Sequence, residues 1–356
     1  MSPLAGVRII EFDGLGPVTL AGMMLADLGA EVLRLTRADG ASAFGDVGGA
    51  VLHRGRAAVT VDLKSAEDRA AVLDLIAQAD AVIEGFRPGV LERLGLGPEP
   101  CQARNPRLVF GRITGWGQTG PLANSVGHDI NYIALTGALH AMGEPDRPPR
   151  PPLNLVGDYG GGAMLLVTGV LAGVIEARQT GQGRVVDAAM TDGTSLLSSL
   201  FHALSASGLW SGERGANLLD GGAPFYRCYA CADGKFVAVG ALEPRFYAAL
   251  LVGLGLDPAE APQFPPGGWP ALQARFAELF ATRTRDDWAA HFEGTEACVT
   301  PVLTFAEAAA HPHNAARATL AGDPIQPSPA PRFDGALPTT GAASVETLAS
   351  ALSRWS

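Results

Sequence analysis

Cysteine is scarce in this chain: Cys101, Cys228, Cys231 and Cys298 are the only four among 356 residues. So few, so scattered, cannot form a disulfide framework, and a disulfide-framed secreted fold is excluded. Positive charge is also in short supply, with 26 Lys and Arg against 36 Asp and Glu and a formal net charge of −10. Such a chain lacks the electrostatic footprint for nucleic acid or an anionic membrane surface, and neither is expected as a partner. No basic segment followed by an apolar core and a cleavage site opens the sequence, so a cytoplasmic location is expected. Several chemical signatures are missing too. There is no P-loop and no HExxH motif, and Ala123-Asn-Ser125-Val-Gly127 lacks the first glycine of the hydrolase GxSxG turn. Cys228-Tyr-Ala-Cys231 has no second cysteine pair and reads as alternating strand residues. His311-Pro-His313 has no acidic partners and reads as an exposed turn, so no metal site is expected. Tyr159 to Ile175 carries no charge, nearly the length of a membrane span. Glycines open that run and Asp158 and Glu176 bound it, which favours a helix buried between the layers of an α/β domain.

What is present is ordinary for a globular chain of two domains: 47% hydrophobic and 17% charged residues. Val7-Arg-Ile-Ile-Glu-Phe reads as a buried strand, Gly14-Leu-Gly16-Pro17 as a turn into a helix that stops at Gly29, and Glu31-Val-Leu-Arg-Leu-Thr as the next strand. This βαβ unit invites a dinucleotide reading, which fails twice. Thr19 replaces the third glycine of the fingerprint, and Arg34 and Arg37 stand where an acidic ribose ligand is needed. Further strands are read at Ala58–Leu63, Ala81–Glu84 and Arg107–Ile113. Between them come a helix capped near Ser65 and a short helix from Pro88.

Repeated alternation of strand and helix predicts a mostly parallel, doubly wound sheet. Sites in such sheets lie beyond the strands' carboxyl ends, where Arg37, Lys64, Arg87 and His128 are expected to gather. The proline-rich 148–152 reads as an extended connector. From Phe225, strands and helices alternate as in a smaller α+β domain. The expected division is a large α/β domain over 1–187 and 315–356, a linker helix and connector over 188–222, a small domain over 223–303 and a return linker over 304–314. The last twenty residues carry little signal.

The chemistry concentrates in residues 111–164. A strand runs into Gly-Trp-Gly-Gln-Thr-Gly-Pro; Gly127-His128-Asp129-Ile130-Asn131-Tyr132 then sets an imidazole beside a carboxylate. Gly157-Asp158-Tyr159-Gly160-Gly161-Gly162 places a second carboxylate before a triple glycine and an apolar helix. A carboxylate at a helix N-terminus, with glycines open to another molecule, suits an oxyanion site, and two titratable groups suit proton chemistry. Taken singly, His128 reads as a structural histidine and Asp158 as a helix cap.

Together with the opening Leu-Ala-Gly-Val-Arg-Ile-Ile-Glu-Phe, the motifs GWGQTGP, GHDINY and GDYGGGAM resemble the family III coenzyme A-transferase superfamily from Leu4 to about Phe333, nearest its α-methylacyl-CoA racemase branch. The resemblance implies that fold and an interlocked homodimer. It also implies inversion at the carbon α to the thioester of 2-methylacyl-CoA, through an enolate, with no cofactor beyond the CoA the substrate carries. His128 and Asp158 are then the two bases, Glu243 assists from the second domain, and Asp129 supports. Backbone N–H groups of Asp158, Tyr159, Gly160 and Gly161 are the expected oxyanion donors. Arg37, Lys64, Arg87 and Arg93, with Arg54 and Arg56, are expected around the CoA phosphates, and Tyr132 in the acyl-CoA site. The alternatives are a CoA-transferase that uses Asp158 as nucleophile, and a non-catalytic acyl-CoA binding module.

Overall fold

Five short apolar runs set the architecture, each flanked by turn residues and too short for a helix. They become β1 (Arg8–Phe12), β2 (Glu31–Arg37), β3 (Arg56–Val61), β4 (Ala81–Glu84) and β5 (Val109–Thr114) in the computed structural model, which describes residues 2–37 and 48–356. Between them run α1 (Pro17–Asp27), α2 (Gly49–Leu52), α3 (Ala66–Ile76), α4 (Val90–Arg93) and α5 (Pro98–Arg104). Pro17 opens α1 as expected, and the Ser65 side chain caps α3 by accepting the Asp68 N–H at 3.2 Å. After β5 come α6 (Asp129–Leu135), a π-helix (Leu155–Ala163) continuous with α7 (Met164–Thr180), β6 (Val185–Ala189), α8 (Met190–Leu197) and α9 (Ser199–Ala206). The rest of the chain gives β7 (Tyr226–Ala230), β8 (Phe236–Gly240), α10 (Pro244–Leu254), α11 (Trp269–Phe280), α12 (Arg285–Phe292) and β9 (Val299–Pro301). The tail adds α13 (Phe305–Ala310), α14 (Pro312–Ala316), β10 (Leu320–Ala321), β11 (Gln326–Pro327), β12 (Ser344–Glu346) and α15 (Leu348–Trp355).

The chain divides into two compact units. The larger comprises 1–138, 152–199 and 316–356, the smaller 139–151 and 200–315. The glycine-rich 208–222 passage thus belongs to the smaller unit, and the proline-rich 148–152 spans one of the passages between the units.

The larger unit holds a seven-stranded parallel sheet in the order β12-β3-β2-β1-β4-β5-β6. Alternate residues of the same strands feed two different apolar layers, because successive side chains point to opposite faces. Ile9, Val32, Ile83 and Val109 pack with α1 and α7, while Ile10, Leu33, Val82 and Phe110 pack with α3 and α15. That is the doubly wound arrangement expected from the sequence. The helix Leu155–Thr180 is long and apolar enough to cross a membrane by length and composition. Its Leu166, Val167, Val170 and Val174 are nonetheless buried in the layer against β5, the position of a core helix.

In the smaller unit β7, β8 and β9 form an antiparallel sheet. Tyr229, Val237 and Val239 on one face pack against Leu250, Phe276 and Trp288 of its helices, an α+β arrangement as expected. Cys228 is exposed and Cys231 buried, so the two thiols do not converge.

The last residues depart from the reading of a featureless tail. β12 extends the sheet beyond β3, and α15 buries Trp355 to 1% exposure, with its indole N–H donated to Glu31. Three residues of strand are too few to show alternation, which is why the sequence was silent there.

Candidate active site

The sheet order reverses between β1 and β4, and the turns after those strands must part to either side of that point. Doubly wound sheets bind ligands in the crevice so formed. Here a cleft of about 1080 Å³ lies there, lined by the Gly16 turn after β1, the Arg87 turn after β4, Trp116 after β5, and His128, Asp158 and Met190. Most of the remaining lining is apolar, including Leu15, Phe86, Val126 and Leu135.

His128 is the N-cap of α6, with extended backbone and an exposed ring. Its peptide N–H donates to Asn131 Oδ1 at 3.0 Å, which fixes the entry of the chain into the helix. Asp129 opens α6 and is 7% exposed; its Oδ2 accepts the peptide N–H of Asp158 at 2.7 Å, and its Oδ1 is buried without a protein partner. Asp129 thus ties the two catalytic candidates together through the backbone. Asp158 Oδ2 accepts from Asn154 Nδ2 at 3.3 Å. Burial raises the Asp158 carboxyl above its ordinary range; the Asn154 bond lowers it, the Asp129 charge raises it and His128 lowers it. The net effect is upward, which favours a carboxyl that holds a proton. Tyr132 donates its hydroxyl to Gly127 O and lies edge-on to Trp116 at 4.9 Å. Its phenol is held high by burial first and by the Asp158 charge next, with Arg87 opposing. Arg87 and Asp158 are therefore both within electrostatic reach of this ring.

Gly16 has φ 75°, the left-handed region, and a Cβ there would stand 3.6 Å from Asp158 Oδ2. The turn that imitates a dinucleotide fingerprint is thus the cover over the candidate acid.

Several expectations are corrected. Asp158 is not a helix cap: it lies in the first turn of the π-helix, whose N-cap is Asn154. Nor are the Asp158 and Tyr159 amides available as oxyanion donors, since the first is bonded to Asp129 and the second to Asn154 O at 3.3 Å. Gly160 and Gly161 serve packing instead of ligand approach. A Cβ on Gly161 would lie 2.7 Å from Thr194 N and one on Gly193 would lie 1.9 Å from Gly161 O, so α8 and the π-helix touch backbone to backbone. Beside His128, the amides of Asp129 and Ile130 donate to no protein group among the described residues, as the first turn of a helix dictates.

Arg54 and Arg56 are also removed from the phosphate set. Arg54 makes a two-bond fork to Asp27 (3.0 and 2.6 Å) and donates to Gln326 and Pro327 O. Arg56 is fully buried with Glu11, at 2.7 Å from Oε1. Both guanidiniums neutralise carboxylates inside the unit, so neither is free to meet a ligand.

The expected basic residues part company. Arg87 lines the cleft with His128, whereas Arg37 and Lys64 stand exposed at the carboxyl ends of β2 and β3, on the same edge but outside the cleft lining. Arg93 ends α4 and is exposed. Glu243 lies in the smaller unit as the exposed N-cap of α10, before Pro244. Sequence reasoning passed over Asn154, Asn131, Trp116 and Gly16. The one available signal was spacing: Asn154 precedes Asp158 by four residues, about one helical turn.

An enzyme with a half-buried acid and an exposed imidazole at the switch point of an α/β sheet belongs to a broad class. The family narrows it: residues 4–334 match CoA-transferase family III, and the chain belongs to that family. The alpha-methylacyl-CoA racemase of Mus musculus is 46% identical over 330 residues, covering 92% of this chain and 85% of that protein. The alpha-methylacyl-CoA racemase of Homo sapiens is 42% identical over 332 residues, covering 92% and 86%. The crystal structure of a CAIB/BAIF family protein from Brucella suis superimposes with a TM-score of 0.83 at 26% identity, over 100% of both chains.

Proposed function

We propose that this chain is an α-methylacyl-CoA racemase, an isomerase that interconverts (2R)- and (2S)-2-methylacyl-CoA thioesters. The observation that carries the reading is the meeting of His128 and Asp158 in one cleft, with the Asp158 carboxyl biased towards its protonated form. Inversion at a carbon acid needs a base on one face and an acid on the other. His128 takes the α-proton, Asp158 delivers one to the opposite face, and the roles exchange in the reverse direction. A positioned base contributes roughly 10²–10⁴-fold. The enolate oxygen is stabilised by the unspent amides at the start of α6, Asp129 and Ile130, each worth on the order of 3 kcal/mol. Proton transfer of this kind requires no metal or redox cofactor, and CoA enters only as part of the substrate. The apolar walls from Leu15, Phe86 and Val126 suit a branched acyl chain.

The test is incubation with a 2-methylacyl-CoA in deuterated water and no carboxylate acceptor. Deuterium appears at C2 of both enantiomers. If none appears, and a carboxylate added in a second incubation takes up the CoA with release of the 2-methyl acid, the protein is a CoA-transferase with Asp158 as nucleophile, and the racemase reading fails. CoA binding without either reaction would leave a binding module.

The same reading includes an interlocked, cytoplasmic homodimer in which Glu243 assists His128. Its support is the family resemblance, together with large exposed apolar side chains on α8 (Leu196, Leu197) and α9 (Leu200, Phe201). Light scattering under assay conditions gives twice the chain mass; an active monomer would rule the dimer out.

A further inference from the structure

Arg112, near the end of β5 and 5% exposed, reaches carboxylates on two different elements. Its Nε donates to Glu84 Oε1 at 2.7 Å, and its Nη1 and Nη2 donate to Glu92 at 2.6 and 3.3 Å. Glu84 ends β4, is fully buried, and with its other oxygen accepts the peptide N–H of Phe86 at 2.6 Å. Glu92 lies on α4. One guanidinium therefore ties down both ends of the segment between them.

That segment and the residue directly after it carry two exposed arginines. Arg87 lies three residues after Glu84 and lines the cleft; Arg93 directly follows Glu92. Arg93 folds back over the turn, its Nη1 being 3.1 Å from where a Cβ on Gly89 would stand. Neither side chain has a carboxylate or hydrogen-bond partner among the described residues, unlike Arg54, Arg56 and Arg112. Two guanidiniums six residues apart, both without partners among the described residues, suit a dianionic phosphate group.

Building on the racemase reading, we propose that Arg112 is a positioning residue which, through Glu84 and Glu92, holds Arg87 and Arg93 for the phosphates at the nucleotide end of the CoA thioester. Burial pushes the Glu84 carboxyl up to about 7, against the pull of Arg112 and the Phe86 N–H. Removing the guanidinium leaves that carboxyl neutral near pH 7 and weakens its grip on Phe86. Lysine cannot replace Arg112, because a single ammonium does not present a planar fork to two carboxylates.

The experiment compares Arg112→Lys and Glu92→Gln with wild type on matched 2-methylacyl thioesters of CoA and of pantetheine, which lacks the nucleotide. Glu92, with its side chain 42% exposed, is the variant least exposed to a folding defect. KM for the CoA thioester rises about tenfold in both variants, while KM for the pantetheine thioester and kcat on either substrate stay within about twofold. In an Arg87→Gln, Arg93→Gln background the Arg112→Lys change adds nothing to KM. Equal KM rises on the two thioesters, or a fall in kcat alone, would overturn the inference. Calorimetry with CoA separates the two levels of failure. A wild-type protein that does not bind CoA overturns the functional reading and the clamp together; variants that bind CoA as wild type does overturn the clamp alone.

Discussion

His128→Ala abolishes net inversion, and so does Asp158→Ala, each by about 10³-fold or more in kcat, because each leaves one face of the enolate without a proton donor or acceptor. The losses are asymmetric in exchange. His128→Ala still washes deuterium into the enantiomer whose C2–H faces Asp158, returning it to the same face, and Asp158→Ala shows the opposite preference. Separate wash-in measurements on the 2R and 2S thioesters read this directly. Equal exchange of both enantiomers in either variant would mean that the two-base assignment is wrong. A transferase would behave differently, losing everything with Asp158→Ala and little with His128→Ala. The pH profile follows from the same geometry. Burial raises the Asp158 carboxyl, so its donating form persists to higher pH than an ordinary aspartic acid and is lost as pH rises through the raised value. In the direction that begins with protonated Asp158, activity falls along that limb.

Arg56→Met destabilises the protein by about 3–5 kcal/mol near neutral pH, the cost of leaving a buried carboxylate without its cation. Glu11 and Arg56 are both fully buried, and α1 presses Gly22 against them so closely that a Cβ there would stand 1.9 Å from Glu11 Oε2. Neither side chain of the pair touches solvent, so the abandoned charge is poorly hydrated. Burial already raises the Glu11 carboxyl above 4.5, against the pull of Arg56. Loss of Arg56 raises it further. A carboxyl raised in the folded state gives stability that is complete below its unfolded value and is lost as pH rises through the folded one. The deficit of Arg56→Met is therefore small at pH 4 and large at pH 8. Glu11→Leu combined with Arg56→Met recovers most of it, since two apolar groups can replace a buried pair at little cost. Urea unfolding of wild type and the two variants at both pH values checks this; an Arg56→Met loss below about 1 kcal/mol at pH 8 would show that the pair carries no weight.

The sheet was readable from the chain because its signals are local. Ile9, Ile10 and Val82 lie in runs too short for helices, and the intervening helices announce themselves through Pro17 and Ser65. The location of the cleft followed from alternation alone, since the turns of a doubly wound sheet part at its switch point. What escaped was long-range. Arg54 and Arg56 look like phosphate ligands by charge, and only their partners Asp27 and Glu11, 27 and 45 residues away in sequence, reveal them as internal. The triple glycine suggested ligand approach, yet its middle member, Gly161, abuts the backbone at Gly193 and Thr194 on another helix. A break before the apolar helix was natural to expect from Gly160 to Gly162, whose helix propensity is poor. The close contact with α8 overrides it and lets the wide π-turn carry Asp158 into the cleft. Chemistry-bearing side chains were thus easier to find than the groups that hold them.

The larger unit is built from both ends of the chain, with β12 and Trp355 joining strands made some three hundred residues earlier. Synthesis runs from one end only. Every residue of the smaller unit has emerged before the last strand of the larger one exists, so the smaller unit is the first that can be complete. At 5–20 residues per second, the 156 residues that follow Ser199 through Trp355 take about 8–30 s. Throughout that interval β3 is an open edge and the slot for the indole is empty, a window in which a nascent sheet invites chaperone capture or pairing with a neighbouring chain.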